Sequence, residues 1–488
     1  MRGQKHIHLI GICGTAMASL AGLLQLKGHR VTGSDQAAYP PMSDLLRELG
    51  IRVAEPFAEK NLEPQPGVVP DLVIVGNAIS RGNVELEYVL DARMPFTSLA
   101  QVIHDEFVTG RESLVVAGTH GKTTTTSMLA WIYEVASRGN AALAPSFLIG
   151  GVAENFGTSF QLREAGPGRR GPLILEGDEY DTAFFDKGPK FMHYFPDALI
   201  LTHVEFDHAD IYRDLDAVKT AFKRLVNLVP RRGRIVAYDG AANVGECVSK
   251  AFCRVERYGF KGDSFWQTYD LKHEGTESRW RVRREGQAWG EFKLKMPGAH
   301  NVMNATAAAA LAFGQGVPLA AITEALATFQ SVKRRLEVRA EVGGVTIIDD
   351  FAHHPTAIRE TLKALREAYS GRRLWTVLEP RSNTLRRNVF ERELVESLSL
   401  ADRVVMAGVF KMESIPTEER MHPERVVEAL VADGRDAILL QNADAIIERI
   451  APELREGDVV AILSNGGFDA IYEKLPERLR KLAATGRG

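Results

Sequence analysis

The sequence predicts an α/β protein with three successive domains, each built around a mainly parallel sheet. Short apolar runs recur along the chain, and most are followed by glycines, acids or histidines and then by a segment with the apolar spacing of a helix. The chain has 488 residues, which at roughly 150 residues per domain gives about three domains. We place these domains at residues 1–105, 106–330 and 331–488.

The composition narrows the class of protein. The 60 basic and 63 acidic residues leave a net charge of -3, which argues against a nucleic-acid-binding surface and a polybasic membrane surface. Cys13, Cys247 and Cys253 are too few and too poorly spaced for a disulfide framework or a zinc site. No signal peptide is recognisable, and no apolar run approaches the roughly 18 residues of a membrane span. We therefore expect a cytoplasmic enzyme.

The first domain begins like a nucleotide-binding unit. An apolar strand at residues 6–10 leads into a glycine-containing turn and a helix, and a second strand ends in an acid that is placed to hold a ribose. Cys13 occupies the middle glycine of the dinucleotide fingerprint, which disfavours NAD and leaves another nucleotide diphosphate open. The candidate binding residues are Gly11, Cys13, Gly14, Thr15, Ala16, Met17, Ser34 and Asp35.

The segment LVVAGTHGKTTTT at residues 114–126 predicts a phosphate-binding loop between a buried strand and a helix. Lys122 would reach the terminal phosphates of ATP, and Thr123 would offer its hydroxyl to Mg²⁺. The usual eight-residue pattern requires a glycine where this chain has Val116, so the pattern is incomplete. The candidate ATP-binding residues of this loop are Gly118, Thr119, His120, Gly121, Lys122, Thr123 and Thr124.

Two further strands of the middle domain end in acids or histidines. The run LIL at residues 173–175 is followed by EGDEYD, and ALIL at residues 198–201 is followed by THVEFDHAD. Ligands bind at the carboxyl ends of parallel strands, so the acids that begin at Glu176 are candidate metal ligands, and the acids and histidines after the second strand form a candidate site with a solvated loop as the alternative. Either histidine of the second segment, taken alone, is more often structural than a ligand. Residues 231–289 suggest antiparallel strands without visible chemistry. His300 and Asn301 begin an alanine-rich helix, where they would cap it or contact a base.

The third domain repeats the arrangement. Apolar runs near residues 345, 374, 404 and 459 each end in polar side chains, which predicts one functional edge. The pair of arginines at residues 334–335 precedes the first of these runs. The candidate residues of this domain are Arg335, Asp350, His353, Arg381, Asn383, Ser464 and Asn465.

Six motifs, taken in order, resemble those of the Mur ligases, the ATP-dependent amide-forming enzymes of peptidoglycan assembly. They are GTHGKTT at 118, EGDEYD at 176, EFDHAD at 205, GAHNVMNA at 298, RRLE at 334 and DDFAHHPT at 349. The resemblance covers nearly the whole chain. It implies a Rossmann-like domain that binds a UDP-sugar, a central P-loop ATPase-like domain, and a Rossmann-like domain that binds the acceptor.

The resemblance also implies roles for individual residues. ATP would phosphorylate a carboxylate, and an amine would then displace phosphate from the acyl phosphate. Lys122 would neutralise the β- and γ-phosphates, and the family's motifs imply the remaining roles. Thr123 and Glu176 would hold one Mg²⁺, His208 a second one, Arg335 the γ-phosphate, Asn301 with His300 the adenine, and Asp350 with His353 the region beside the incoming amine.

The motifs GICGTAM and GSD are similar to the UDP-binding region of the branch that uses UDP-N-acetylmuramate. Within it, YPPMS at 39, LEPRSNT at 378 and SNGGF at 464 resemble the enzymes that add the tripeptide L-alanyl-γ-D-glutamyl-meso-diaminopimelate in peptidoglycan recycling. Arg381, Asn383, Ser464 and Asn465 would then contact the peptide. Because Arg pairs bidentately with carboxylates, Arg381 and Asn383 are our candidates for reading its distal carboxylate.

Several alternatives stay open from the sequence alone. The nearest is a ligase that adds L-alanine instead of the tripeptide. A Rossmann oxidoreductase would use the first domain, and Cys13 argues against it. A regulatory ATP-binding protein without catalysis would have no need of the acids and histidines that end strands in the third domain. Some Mur ligases use a carbamylated lysine, and we interpret Lys223 as an ordinary helix-surface lysine. We expect a monomer or a weak homodimer.

Overall fold

The computed structural model describes residues 3–38, 42–63, 67–164 and 170–484. Its three sheet-based units follow one another along the chain, each with helices packed on its sheet. The prediction of an α/β protein with mainly parallel sheets is confirmed. Within the described ranges, no helix is long and apolar enough to cross a membrane. The first three residues of the YPPMS motif lie outside the described residues.

The described part of the first unit has a five-stranded parallel sheet with the order β3-β2-β1-β4-β5. A helix start follows β1 at Gly14, so the predicted strand–turn–helix beginning is present. The strands are β1 (His6–Ile10), β2 (Arg30–Ser34), β3 (Val53–Ala54), β4 (Leu72–Val75) and β5 (Phe96–Ser98), and the α-helices are α1 (Thr15–Leu26), α2 (Met42–Glu48), α3 (Val84–Asp91) and α4 (Leu99–Ile103).

The middle unit contains, among its described residues, a ten-stranded sheet with the order β17-β16-β15-β14-β13-β12-β6-β9-β7-β8 and a separate hairpin of β10 and β11. Its strands are β6 (Glu112–Ala117), β7 (Ser146–Ala153), β8 (Thr158–Gln161), β9 (Pro172–Gly177), β10 (Asp181–Ala183), β11 (Asp186–Pro189), β12 (Ala198–Leu201), β13 (Arg234–Tyr238), β14 (Arg254–Gly259), β15 (Trp266–Glu274), β16 (Glu277–Arg284) and β17 (Gln287–Leu294). Its α-helices are α5 (Lys122–Ser137), α6 (Leu215–Leu228), α7 (Ala242–Val248), α8 (Ala299–Gly314) and α9 (Leu319–Thr328).

The expectation of antiparallel strands between residues 231 and 289 is only partly right. Strands β15, β16 and β17 form an antiparallel meander, as expected. Strands β13 and β14 instead pair in parallel and extend the main sheet from β12. The apolar core of β13 is short and directly follows a run of arginines, so its membership of the buried sheet depends on long-range pairing that local pattern does not reveal.

The third unit has, in its described residues, a six-stranded sheet with the order β18-β19-β23-β20-β21-β22, in which β18 alone runs antiparallel. The sequence prediction named four of these strands and omitted the two edge strands near residues 340 and 438. The strands are β18 (Glu337–Val342), β19 (Val345–Asp350), β20 (Leu374–Leu378), β21 (Arg403–Ala407), β22 (Asp436–Leu440) and β23 (Val459–Leu463), and the α-helices are α10 (Pro355–Ala368), α11 (Glu391–Leu398), α12 (Pro423–Ala432), α13 (Ala443–Ile450) and α14 (Ile471–Ala484).

The alanine-rich helix α8 fixes the position of the phosphate-binding loop. Its small side chains are fully buried and allow close packing against α5, the helix that follows the loop. The loop itself leaves the carboxyl end of β6, between the ends of β9 and β12. The polar residues that follow these three strands therefore meet at one edge of the sheet.

Candidate active site

The phosphate-binding loop turns sharply between β6 and α5. Its two glycines have positive φ angles, 135° at Gly118 and 78° at Gly121, a region that side chains with a Cβ rarely occupy. A Cβ on Gly121 would lie 2.6 Å from Oδ1 of Asn304. Val116 is a fully buried residue inside β6, so the turn here begins at Gly118 and does not require a glycine at position 116.

Lys122 lies at the centre of the loop. Its Nζ donates to the carbonyl oxygen of Gly118 at 2.8 Å and to both carboxylate oxygens of Glu179 at 2.7 and 3.0 Å. Burial opposes the charged form, but Glu179 and Asp178 outweigh it and raise the pKa of Lys122. The ammonium group is therefore charged at neutral pH and lies where the loop and helix N-terminus attract phosphate.

Thr123 and Glu176 lie beside the lysine. The Thr123 hydroxyl donates to Oε1 of Glu176 at 2.9 Å, and the backbone N–H of Gly150 donates to the other carboxylate oxygen at 2.7 Å. Burial raises the pKa of Glu176. From the third unit, Nη2 of Arg335 lies 3.5 Å from the Thr123 hydroxyl oxygen. A hydroxyl and a carboxylate side by side match the oxygen donors that Mg²⁺ prefers.

A second group of donors consists of Asp178, Glu179 and His208, whose ligand atoms lie within 4.8 Å of one another. Nε2 of His208 is 3.3 Å from Oε1 of Glu179. Although burial opposes protonation, Glu179 and Asp207 raise the pKa of His208 to about 9. Burial also opposes ionisation of Asp178, yet Lys190 and Lys122 lower its pKa to about 2. Asp178 and Glu179, whose pKa values are both lowered, supply ionised oxygen donors that fit a divalent cation, and His208 would release its proton when its imidazole binds the ion.

A cavity of about 560 Å³ opens next to the loop and is shared by the middle and third units. Tyr238 and Phe260 contribute aromatic walls, and Arg335 lines the third-unit side. Nδ1 of His300 is buried and has no hydrogen-bond partner among the described residues. Asn301 is buried and donates to the carbonyl oxygen of Pro297 at 2.9 Å. The volume, the aromatic walls and the free imidazole nitrogen suit a nucleotide base and ribose.

The third unit contacts the loop through His354, a histidine that sequence reasoning did not select. Nε2 of His120 is 2.9 Å from Oε2 of Glu205, and Nδ1 of His354 is 3.7 Å from the same oxygen. The rings of His120 and His354 lie 4.6 Å apart. The third unit also reaches the same segment where the Thr384 hydroxyl donates to Asp207 at 2.6 Å. The EFDHAD segment is thus held between the phosphate loop and the third unit.

Asp350 and His353 differ in their surroundings. Oδ2 of Asp350 accepts from the backbone N–H of Leu336 at 2.8 Å, so this carboxylate fixes the chain next to Arg335. Nδ1 of His353 lies 2.9 Å from the carbonyl oxygen of Phe351. Because a carbonyl accepts only, Nδ1 carries the proton and Nε2 is left as an acceptor. Burial lowers the pKa of His353, which keeps the ring neutral at neutral pH.

Comparisons with known proteins agree with this geometry. Family models match three consecutive parts of the chain: the catalytic domain of the Mur ligase family at residues 6–107, the Mur ligase middle domain at 116–312, and the Mur ligase glutamate ligase domain at 334–466. The UDP-N-acetylmuramate–L-alanyl-γ-D-glutamyl-meso-2,6-diaminoheptandioate ligase of Escherichia coli K12 is 41% identical over 482 residues, which is 99% of this chain and 100% of that protein. The chain belongs to the Mur ligase family.

Two further relatives extend the comparison. The UDP-N-acetylmuramate–L-alanine ligase of Myxococcus xanthus is 31% identical over 98% of this chain and 96% of that protein. The crystal structure of a murein peptide ligase from Psychrobacter arcticus has 36% identity and a TM-score of 0.73, and the match covers 97% of this chain and 98% of that one. The resemblance to Mur ligases is confirmed, and the chain is an ATP-dependent, amide-forming ligase.

The first unit of this Mur ligase places the expected nucleotide-binding residues around the start of α1. The backbone N–H of Cys13 donates to Oδ2 of Asp35 at 2.9 Å, which joins the two turns. The hydroxyl of Ser34 donates to the buried Glu85, so this side chain is engaged within the domain. Burial raises the pKa of Cys13 to about 12, so its thiol stays protonated. The roles of these residues in UDP binding remain predictions.

The expected peptide-binding residues lie in two places. Arg381 stacks on Phe410, with the guanidinium carbon 3.7 Å from the ring centroid, and its Nη1 is 3.3 Å from Glu379. Ser464 is buried and donates to the same glutamate, whereas Oδ1 of the nearby Asn465 has no partner among the described residues. Asn383 lies apart from these residues, and its side-chain amide donates to Asp210 of the middle unit at 2.8 Å.

Sequence reasoning selected the first acid of EGDEYD and omitted the two that the fold brings closest to Lys122. Strand β9 ends at Gly177, so Asp178 and Glu179 both follow its end, and only the fold places them. The signal available in the sequence was the charge of these acids, which favours their placement beside the lysine of the phosphate-binding loop. Lys223 pairs with Glu246 at 2.6 Å on the partly exposed face of α6, as the surface interpretation expects.

Proposed function

We propose that the protein joins the tripeptide L-alanyl-γ-D-glutamyl-meso-diaminopimelate to UDP-N-acetylmuramate through an acyl phosphate, in peptidoglycan recycling. The observation that carries the proposal is the placement of Lys122, two sets of oxygen donors and a nucleotide-sized cavity at one junction of domains. The names of the relatives favour the tripeptide over L-alanine, since identity is 41% to the tripeptide ligase and 31% to the L-alanine ligase.

The reaction needs activation because a carboxylate resists attack by an amine. In the first step a carboxylate oxygen of the sugar-borne lactyl group attacks the γ-phosphorus of ATP, and ADP leaves. Both reactants are anions, so their approach depends on nearby cations. We assign Lys122 to the β- and γ-phosphates and Arg335 to the γ-phosphate from the third domain. The remaining loop contacts come from residues 118–121 and 124.

Mg²⁺ is the metal that fits the donors described above, and it would supply charge neutralisation for phosphoryl transfer. We assign one site to Thr123 and Glu176, as expected from the sequence. A second site involves His208, and the structure adds Glu179 and Asp178 to its candidate ligands. The carboxylates and the hydroxyl are the oxygen donors that Mg²⁺ prefers, and Glu179 also holds Lys122 in position.

In the second step the α-amine of the peptide attacks the acyl carbon, and the phosphate leaves with the former carboxylate oxygen. The amine must lose a proton, which requires an unprotonated base within hydrogen-bond reach. Nε2 of His353 has the correct tautomer and a lowered pKa, so it is our candidate for accepting this proton. Asp350 positions the segment that carries Arg335.

The remaining substrate contacts follow from the division into domains at residues 1–105, 106–330 and 331–488. We assign the UDP end to the first domain, at the start of α1, and the peptide to Arg381, Asn383, Ser464 and Asn465 in the third. The adenine is assigned to His300 and Asn301 in the shared cavity. These are nucleotide and peptide substrates, so we place the enzyme in the cytoplasm, as a monomer or weak homodimer.

Phosphate release from ATP tests the proposal. The enzyme is incubated with UDP-N-acetylmuramate and Mg²⁺, and the acceptor is the tripeptide, L-alanine or a dipeptide, with Lys122→Ala as the inactive control. We expect release with the tripeptide at a kcat/KM at least roughly a hundredfold above that with L-alanine. Release that depends on L-alanine instead would assign the protein to the de novo branch, and amide formation by Lys122→Ala would refute the role of the loop.

A further inference from the structure

Lys190 is a buried lysine that neither the motifs nor the proposed mechanism uses. It follows the hairpin of β10 and β11, and 7% of its surface is exposed. Its Nζ lies 2.7 Å from Oδ2 of Asp178 and 5.4 Å from the ring centroid of Tyr180. Lys187 in the same hairpin is different, because its side chain is 70% exposed while it pairs with Asp181. Lysine side chains are rarely this buried unless they are paired with an anion.

Lys190 lines a separate cavity of about 200 Å³ between the first and middle domains. One wall is the start of α1, from Gly14 to Met17, where we place the UDP end of the substrate. The opposite wall contains Asp178, which also belongs to the group of donors around Lys122. The cavity therefore extends from the nucleotide-binding turn toward the site of phosphoryl transfer.

A sugar acid that is anchored by UDP at α1 must direct its carboxylate toward Lys122. Of the described residues that line the cavity, Lys190 is the single cation. Asp178 is the partner of Lys190 and is also a candidate metal ligand, so a bound cation would compete with Lys190 for that carboxylate and leave the ammonium group able to take another anion.

Resting on the proposed function, we propose that Lys190 binds the lactyl carboxylate of the sugar substrate and holds it for phosphorylation. The residue is a substrate-binding group that distinguishes a sugar acid from the corresponding neutral sugar. The competing interpretation is a permanent structural ion pair with Asp178, in which Lys190 would stabilise the hairpin and have no preference between the two sugars.

Two UDP-sugars separate these interpretations. UDP-N-acetylmuramate carries the lactyl carboxylate, and UDP-N-acetylglucosamine lacks it. Their dissociation constants are measured by calorimetry with Mg²⁺ and a non-hydrolysable ATP analogue for the wild type, Lys190→Met and the matched control Lys187→Met. We expect Lys190→Met to weaken binding of the acid roughly ten- to a hundredfold and of the neutral sugar less than about threefold. Lys187→Met should leave both constants unchanged.

Equal weakening for both sugars would assign Lys190 to the diphosphate, and no weakening would make the ion pair structural; either result overturns the proposal. A wild type that does not bind UDP-N-acetylmuramate would instead refute the proposed function. If Lys190→Met is poorly folded, the reductive methylation of Lys190 is compared instead in the wild type with each sugar bound. At equal occupancy, the sugar acid should protect Lys190 and the neutral sugar should not, and equal protection would contradict the proposal.

Discussion

Replacing Arg335 with alanine tests how the third domain contributes to catalysis. Nη2 of Arg335 lies 3.5 Å from the Thr123 hydroxyl, on the wall of the nucleotide-sized cavity, and its guanidinium carbon is 4.8 Å from the ring centroid of Phe351. A unit positive charge about 4 Å from phosphoryl charge contributes about 4 kcal/mol at an effective dielectric constant near 20. If this interaction acts in the transition state, its loss lowers kcat about a thousandfold.

The assay is steady-state phosphate release with saturating sugar and tripeptide, with ATP varied. We expect Arg335→Ala to lower kcat by roughly two to three orders of magnitude while the KM for ATP changes less than about fivefold. Arg335→Lys should recover only part of kcat, because an ammonium group lacks the planar fork of a guanidinium. Arg339→Ala is the control, since Arg339 pairs with Glu337 and Glu473 on the surface of β18. A kcat within threefold of the wild type for Arg335→Ala refutes the reasoning.

Three other predictions concern stability and reactivity. A Cβ on Gly22 of α1 would lie 2.2 Å from the ring of Phe160, so Gly22→Ala should lower the free energy of unfolding by about 1–3 kcal/mol in denaturant titrations. Gly139→Ala is the control, because a Cβ there has its nearest contact at 3.8 Å. It should change the free energy of unfolding by less than about 0.5 kcal/mol. Burial raises the pKa of Asp349 to about 6, so the folded state holds this proton more tightly than the unfolded state, and stability relative to Asp349→Asn should fall by about 2–3 kcal/mol from pH 4 to pH 7. Cys13 is buried with a pKa of about 12, whereas Cys253 is partly exposed, so iodoacetamide should label Cys253 roughly tenfold faster or more at pH 8 by mass spectrometry.

Each of these predictions has an outcome that contradicts it. Equal stability of the two glycine variants would mean that α1 moves away from the ring without loss of packing. A pH-independent difference between the wild type and Asp349→Asn would mean that the carboxyl group has the same pKa in both states. Faster labelling of Cys13 than of Cys253 would mean that the turn before α1 opens in solution.

The sequence predicted the parts of the site that depend on local pattern. The order of strand, glycine turn and helix predicted the loop around Lys122 even though Val116 breaks the usual motif, because the turn geometry needs glycine only at Gly118 and Gly121. The positions of Thr123 and Glu176 were also predictable, since a helix start and a strand end of the same parallel sheet face one edge.

The remaining contacts depend on distant parts of the chain. Glu179 follows the end of β9, and only the packed structure shows that both its oxygens contact Lys122. The contact of His120 with Glu205 and His354 joins residues that are separated by more than 80 positions, and no periodicity links them. Sequence reasoning did not select Lys190, because burial between two domains is not encoded in local spacing.

The fate of the carboxylate oxygen tests the central claim most directly. UDP-N-acetylmuramate labelled with a heavy oxygen isotope in its lactyl carboxylate is incubated with the enzyme, ATP, Mg²⁺ and the tripeptide, and the released phosphate is analysed by mass spectrometry. An acyl phosphate requires that one carboxylate oxygen leaves with the phosphate, so we expect labelled phosphate in proportion to amide product. Amide product accompanied by unlabelled phosphate would contradict the account.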